Sequence, residues 1–326
     1  DLTATGAIIA AGGPVDLQHQ GVVSIGGQLT SSSTVTIASG LSGTGDLSFT
    51  TAGLTVGGTA ITLTAGDGAV GAGTTAVVDL SNTPIFRGAA GGATSPTSFT
   101  LRQDGSIADG DIVAATAFAG GLGGMNYTLD SRDGSLTVSD ASKVDDSALT
   151  LAGATGLAID NALNLRSLNA AGVTTLGGSI TATSGDITFN DAVTLTANAD
   201  FSAGTSTITF NGLDIVSFDS VVTADEVDLL GTMSAAGGNI TLQPTTASID
   251  VLVNSGSPGA DPGFELEIPE MAQFTDGFGS ITIGRDDGSG VLRVLADLTL
   301  SDPLTLRMPN GAINASGAVR GTENAT

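Results

Sequence analysis

GSITATSGDITFNDAVTL, residues 178–195, decides how the chain reads. Apolar and polar residues alternate through it: Ile180 and Ala182, Ile187 and Phe189, Val193 and Leu195. Alternation at period two marks a strand with one buried face. Between the pairs stand Ser184, Gly185 and Asp186, then Asn190 and Asp191, which are turn formers. The same pattern runs from Gly172 to Val253, through Ile208 and Phe210, Leu213 and Ile215, Val227 and Leu229, Ile240 and Leu242.

Taken three strands apart, the apolar positions fall into series. Val138, Ile159, Ile180, Phe201, Val221 and Ile240 form one. Val144, Leu165, Ile187, Ile208, Val227 and Ile249 form a second. Leu151, Val173, Val193, Leu213, Met233 and Val253 form a third. Three series sharing a period of roughly twenty residues predict a coil of three short strands, repeated: an all-β chain folded as a parallel β-solenoid. Coils then stack at about 4.8 Å, and equivalent inward residues touch as aliphatic ladders.

The expected organisation is a single solenoid over 1–326, with coils at 1–81, 126–253 and 280–326 and excursions at 82–125 and 254–279. The first coils carry looser series: Ile8, Leu29, Phe49 and Val70; Leu17, Ile37 and Val56; Ile25, Leu41 and Ile61. In the first excursion Ser98–Asp104 reads as a strand, and Asp109–Phe118 as a helical turn. The second holds Pro258, Pro262 and Pro269 together with Glu265, Glu267 and Glu270, three of only five Glu. There Phe264, Leu266 and Ile268 read as an excursion strand, and Pro269–Phe274 as the start of a short helix, since Pro is tolerated in the first turn. The start at Asp1 without a basic leader reads as a processed or internal piece, and neither end shows a polar cap.

Composition fits short strands and tight turns. The 326 residues include 48 Gly and no Cys or Trp, and charged residues are only 13%, about half the usual share. Absence of Cys removes disulfides and thiolate metal sites. The net charge of −24, with a single Lys at Lys143, argues against nucleic acid and anionic membrane partners. No apolar run reaches the roughly 18–20 residues of a membrane span. Most Asp sit in predicted turns, where they suit the backbone and keep a β-rich chain soluble. Calcium held in those turns would need a Gly-Gly-x-Gly-x-Asp repeat; Gly120–Gly124 comes close but lacks the Asp.

Several segments resemble the filamentous-haemagglutinin type of very large bacterial secreted proteins. Residues 178–190 (GSITATSGDITFN) and 237–243 (GGNITLQ) resemble its Gly-polar-Ile-Thr-Leu repeats. Residues 98–109 (SFTLRQDGSIAD) and 276–290 (DGFGSITIGRDDGSG), the latter followed by Asp302–Leu306, resemble its recurring breaks. The resemblance implies a right-handed parallel β-helix, export to the cell surface or medium, and a role as an adhesin or structural fibre. The family's amino-terminal secretion domain is not recognisable in this chain.

Chemistry is sparse. The one histidine, His19, lies between Gln18 and Gln20 beside a Gly turn and reads as solvent-exposed. A Ser-His-Asp triad would depend on it, and a zinc site would need more ligands. Glycoside hydrolysis needs two facing carboxylates. The candidates are Asp145 with Asp146, Asp225 with Glu226 and Asp228, Glu265 with Glu267, and Asp286 with Asp287. Asp225 and Glu226 read as a solvated corner. Glu265 and Glu267 share one strand face, expected to be exposed, or to line a pocket with Arg285. With no Trp and one Tyr, Tyr127, a sugar cleft lacks its usual aromatic lining. A flat Thr array on one face would need Thr in register coil after coil, and the matches in sequence are scattered. The four Asn-x-Ser/Thr sites, at Asn126, Asn239, Asn314 and Asn324, are expected by chance in so Thr- and Ser-rich a chain.

No catalytic, cofactor-binding or metal-binding residue is expected, and no cofactor. The expected role is an extracellular rod of roughly a dozen coils, about 60 Å long by the strand spacing, joining head to tail with copies of itself. A monomeric adhesin passenger that binds a surface receptor or glycan is the alternative, and a polysaccharide-active β-helix enzyme the second.

Overall fold

The structure, a computed structural model, describes residues 1–41, 45–66, 76–82, 84–88, 96–104, 107–108, 125–132, 134–138, 147–256 and 263–322. Short strands pair in parallel along the chain, and the described residues include one helix, of four residues. This is a parallel β-solenoid. None of its described helices is long and apolar enough to cross a membrane. The chain divides into two compact units, Asp1–Ala158 and Ile159–Thr326.

In the first unit most strands fall into three stacks, and Ile107–Ala108 pairs with Ser135–Val138 in a further sheet. One runs Leu2–Ala4, Val23–Ile25, Leu47–Phe49, Val78–Asp79, and a second Ile8–Ala10, Leu29–Ser31, Thr55–Gly57, Ile85–Arg87. The third runs Val15–Gln18, Thr34–Ser39, Ala60–Ala65, Ser98–Gln103, Asn126–Ser131 and Ala148–Gly153. Its inward positions make two ladders. Val15, Val35, Ile61, Phe99, Tyr127 and Leu149 form one, and Leu17, Ile37, Leu63, Leu101, Leu129 and Leu151 the other. Phe99 stacks on Tyr127 at 5.4 Å and meets Phe86 edge-on at 4.8 Å. Complete burial pushes the Tyr127 phenol far above its usual pKa.

The early series from sequence are only partly right. Ile8 does pair with Leu29, and Leu17 with Ile37. Beyond them Leu29 meets Val56 rather than Phe49, and Ile37 meets Leu63 rather than Val56. Ile25 pairs with Phe49, while Leu41 is exposed. The coils lengthen here, so a fixed step of twenty lands on the wrong face of the coil. Val70 lies outside the described residues. Within 82–125, Ser98–Gln103 is a strand of the third stack, in register over six residues with both neighbours. The helical turn expected at Asp109–Phe118 also lies outside the described residues.

Pairing also shows a threonine column that scattered sequence matches concealed. Thr36, Thr62, Thr100, Thr128 and Thr150 stand above one another on the outward face. It is one residue wide: the column two positions before it holds Thr34, Ala60, Ser98, Asn126 and Ala148.

In the second unit, Phe189, Phe201 and Phe210 form an aromatic cluster, with Phe189 and Phe210 stacked at 5.7 Å. Ile187–Ile208–Val227 and Val193–Leu213–Met233 pair as the sequence predicts. Other members shift. Ile180 sits opposite Leu163, not Ile159, and Phe201 opposite Val222, not Val221. Ile187 sits opposite Leu168, not Leu165. Val173 is exposed, and Thr174 takes its place opposite Val193. Coil length changes here as well: Leu163 to Ile180 is a step of 17 residues (180 − 163) and Leu168 to Ile187 one of 19 (187 − 168), so a fixed step of 21 lands on a neighbouring pair.

Side chains tie coil to coil outside the strands. Asp186, Asp200, Asp219, Asp250 and Asp297 accept backbone N–H bonds from Thr207, Val221, Asn239, Val291 and Ala318 of the next coil, at 2.7–3.1 Å. Asn190 Nδ2 donates to Asn169 Oδ1 at 2.7 Å, and Asn211 Nδ2 to the Asn190 carbonyl at 2.8 Å. Glycine is required where turns touch: a Cβ at Gly178 would run into the backbone of Ala162.

Around the site the elements are β1 (Phe201–Phe210), β2 (Ser220–Leu229), β3 (Asn239–Gln243), β4 (Val251–Ser255), β5 (Phe264–Glu267), α1 (Ile268–Met271), β6 (Ser280–Gly284) and β7 (Val291–Val294). β2 pairs along its length with β1, and its first half with β3; β3 then pairs with β6. β4 lies between β5 and β7. Spatial order is therefore not chain order. The chain makes β4 first and then returns to lay β5 between β4 and the second half of β2. Phe264 and Leu266 are buried there. Past α1, Met233 and Gln273 join N–H to carbonyl at 2.9 Å, and Thr275 returns a bond to Met233 at 3.0 Å.

Phe210→Ala should cost about 3–5 kcal/mol, the usual loss for emptying a buried aromatic site. Asn190→Ala, which removes only an exposed rung, should cost about 1 kcal/mol. Urea unfolding of both variants checks the contrast. Equal losses would mean that the cluster is not the packed centre of its unit.

Candidate functional site

Four of the five glutamates meet where β5 and α1 cover β2. Glu226 and Asp228 project from β2 opposite Thr207 and Thr209 of β1, and Thr209 Oγ1 donates to Asp228 Oδ2 at 3.1 Å. Glu265 stands opposite Leu252 of β4 and is only 3% exposed. Ser255 Oγ donates to its Oε1. Glu267 ends β5 where α1 begins, with Pro269 in the first turn.

Glu270 is the link between the elements. Its Oε1 accepts the N–H of Leu229 on β2 at 2.9 Å, and its Oε2 accepts the N–H of Glu267 at 2.7 Å. Asp225, next to Glu226 on β2, has a buried Oδ1 that accepts no hydrogen bond from the described residues.

The cluster is acidic. Among the described residues, none of the ion pairs involves Glu226, Asp228, Glu267 or Glu270. Burial raises the Glu226 carboxyl to about 7, helped by the charges of Asp228, Glu270 and Glu265 and opposed by the Val227 N–H. Burial likewise raises Glu270 to about 7 against its two backbone N–H bonds, with Asp228 and Glu267 adding repulsion. Two carboxyls that take up protons near neutral pH are thus in place within one cluster. Among the described residues no group of three His, Cys, Asp or Glu is placed to hold a metal ion.

The sequence expectations divide sharply here. Glu226 and Asp228 are not a solvated corner but part of the cluster, and Asp225 beside them has a buried Oδ1. Glu265 is buried, not on an exposed strand face. Its expected neighbour Arg285 is engaged elsewhere, at 2.8 Å from Asp287 and bonded to the carbonyls of Pro244 and Thr245. Asp286 pairs with Arg307, so Asp286 and Asp287 are ion-pair partners at the surface. Asp145 and Asp146 lie outside the described residues. His19 is half-buried, and its Nδ1 accepts the Gly21 N–H at 2.8 Å, which makes it a turn residue. The Asn239 amide is committed to Asp219 Oδ1 at 2.7 Å. Sequence reasoning passed over Glu270. Its signal was compositional: Glu is rare in this chain, and the rare residue concentrates in one place.

The raised carboxyls fix the sign of a pH effect. A carboxyl whose folded pKa lies above its ordinary 4.5 favours the fold fully below that value, and the benefit is lost as pH rises through about 7. Glu226→Gln should therefore match the wild type near pH 4.5 and exceed it at pH 8 by about 1–2 kcal/mol, after discounting for partial exposure. Urea midpoints at both pH values test this; an equal difference at both would remove the electrostatic account. Comparison with known proteins adds no name to the cluster or to the fold: no family model, curated protein or solved structure matches this chain.

Proposed function

We propose that this chain is an extracellular structural protein of the filamentous-haemagglutinin kind, a rigid β-solenoid rod that assembles end to end into a surface filament or fibre. One observation carries the reading. The last strands, Leu304–Arg307, Ala312–Ala315 and Val319–Gly321, pair on one side only among the described residues. Ile313 continues the inward ladder of the buried Leu292, and Val319 that of Leu298, yet they are 46% and 45% exposed. Such an edge accepts a further parallel strand, from the continuation of the same chain or from a second copy. The charge of −24 supports a solvated exterior without nucleic acid as partner.

Negative-stain electron microscopy over a concentration series tests assembly. Fibres that lengthen with concentration are expected. Short single particles at every concentration would favour a monomeric adhesin segment that displays a surface to a receptor or glycan.

A polysaccharide-active role draws support from one feature, the raised Glu226 carboxyl with Asp228 and Glu265 near it, since glycoside chemistry uses two carboxyls of which one holds a proton. Turnover of acidic or neutral glycans, lost in Glu226→Gln, would establish it. Inertness of the wild type is the outcome expected for a structural protein.

A further inference from the structure

β5 and α1 are held on β2 in an unusual way. The chain passes this level, builds β4, and returns to fill the gap. The returning segment is fixed at its far end by backbone bonds: Met233 with Gln273 and Thr275, and Gly237 with Gly277 at 2.7 Å. At the near end its polar link to β2 is the Glu270 carboxyl on the Leu229 N–H.

Among the described residues, the charges acting on that link are acidic: Asp228 and Glu267 bear on Glu270, and Asp228, Glu265 and Glu270 bear on Glu226. β4 (VLVNS) brings no titratable group, and β1 faces β2 with Thr207 and Thr209. β7 carries Arg293, which is engaged with Asp250 at 3.0 Å. Where buried carboxyls lie together, the economical way to neutralise them is to share protons among them.

We propose that β5 and α1 form a proton-gated clamp on β2, seated while the Glu226–Glu270 cluster holds protons and loosened when the cluster is fully ionised. The hydrogen bonds are compatible with both states, because a protonated carboxyl keeps an oxygen that accepts the Leu229 N–H. What changes is the repulsion across the seam. The carboxyls that burial raises to about 7 place the change between mildly acidic and mildly alkaline conditions. The far-end backbone bonds do not titrate, so the segment loosens at one end and stays attached at the other. The clamp operates whether the chain serves in a filament or as a monomeric rod.

Amide hydrogen exchange of the whole chain tests this at pH 5.5 and 8.5, with rates corrected for intrinsic pH dependence. The expected result is at least a tenfold loss of protection in Glu265–Ala272 at the higher pH, with unchanged protection in Ile187–Phe189. Glu226→Gln should reduce that loss severalfold. Flat protection of Glu265–Ala272 across the range would overturn the proposal. So would an equal loss in Ile187–Phe189, which would mean general softening, or an undiminished loss in Glu226→Gln. The comparison of two peptides within the wild-type chain decides the question even if the variant fails to fold.

Discussion

Each strand in this protein is too short to stand alone, and its backbone groups are satisfied by the coils on either side. That dependence governs everything else. A strand such as Ile187–Phe189 offers three residues to its neighbours. It gains stability only because Leu168–Ala170 and Ile208–Phe210 lie in register on either side. Register in turn requires like residues to stack on like, which gives the aliphatic and aromatic ladders. Glycine at the turns lets the coils approach closely enough for the backbone bonds to form.

The same dependence explains how so much negative charge is tolerated. Asp is short and stands in turns, where its carboxylate accepts the N–H of the next coil, as Asp200 does from Val221 and Asp297 from Ala318. The bond from Arg320 and the Ala318 N–H hold Asp297 below its ordinary pKa. Asp297 favours the fold when ionised and would withdraw that support in strong acid. Glu226 and Glu270 behave in the opposite sense, since burial favours their neutral forms. The two kinds of acidic residue therefore pull the pH dependence of the fold in opposite directions. Maximum stability is expected between them, in mildly acidic solution.

The solenoid was legible because period-two alternation and a period near twenty are both written in single residues such as Ile187, Ile208 and Val227. The exact ladders were harder to read. In the first unit coil length drifts, so Leu29 meets Val56, a partner that a fixed period misses. In the second, neighbouring apolar pairs are interchangeable in composition, and only pairing distinguishes Leu168 from Leu165 as the partner of Ile187. The acidic cluster was half legible. Glu265 and Glu267 stood out as a pair, but burial against β4 and the approach of Glu226 depend on where the chain returns, and no local pattern records that.

That return is the point at which sequence order and spatial order part company. β4 reads as the natural successor of β3, and β5 as a detour. In space β5 comes first, beside β2, and β4 lies beyond it. A strand laid down late into a gap between two existing levels must bury whatever it carries. An apolar strand would have sealed the gap permanently. This one carries Glu265 and ends in a helix that carries Glu270, so the seal depends on protons as well as on Phe264 and Leu266. Elsewhere buried carboxylates between coils have their own partners: Asp104 faces Arg132 at 3.8 Å, and Asp302 Oδ1 accepts the Gly277 N–H at 3.1 Å. At this level the joint between coils is itself ionisable, and the stability of the stack there follows the pH of its surroundings.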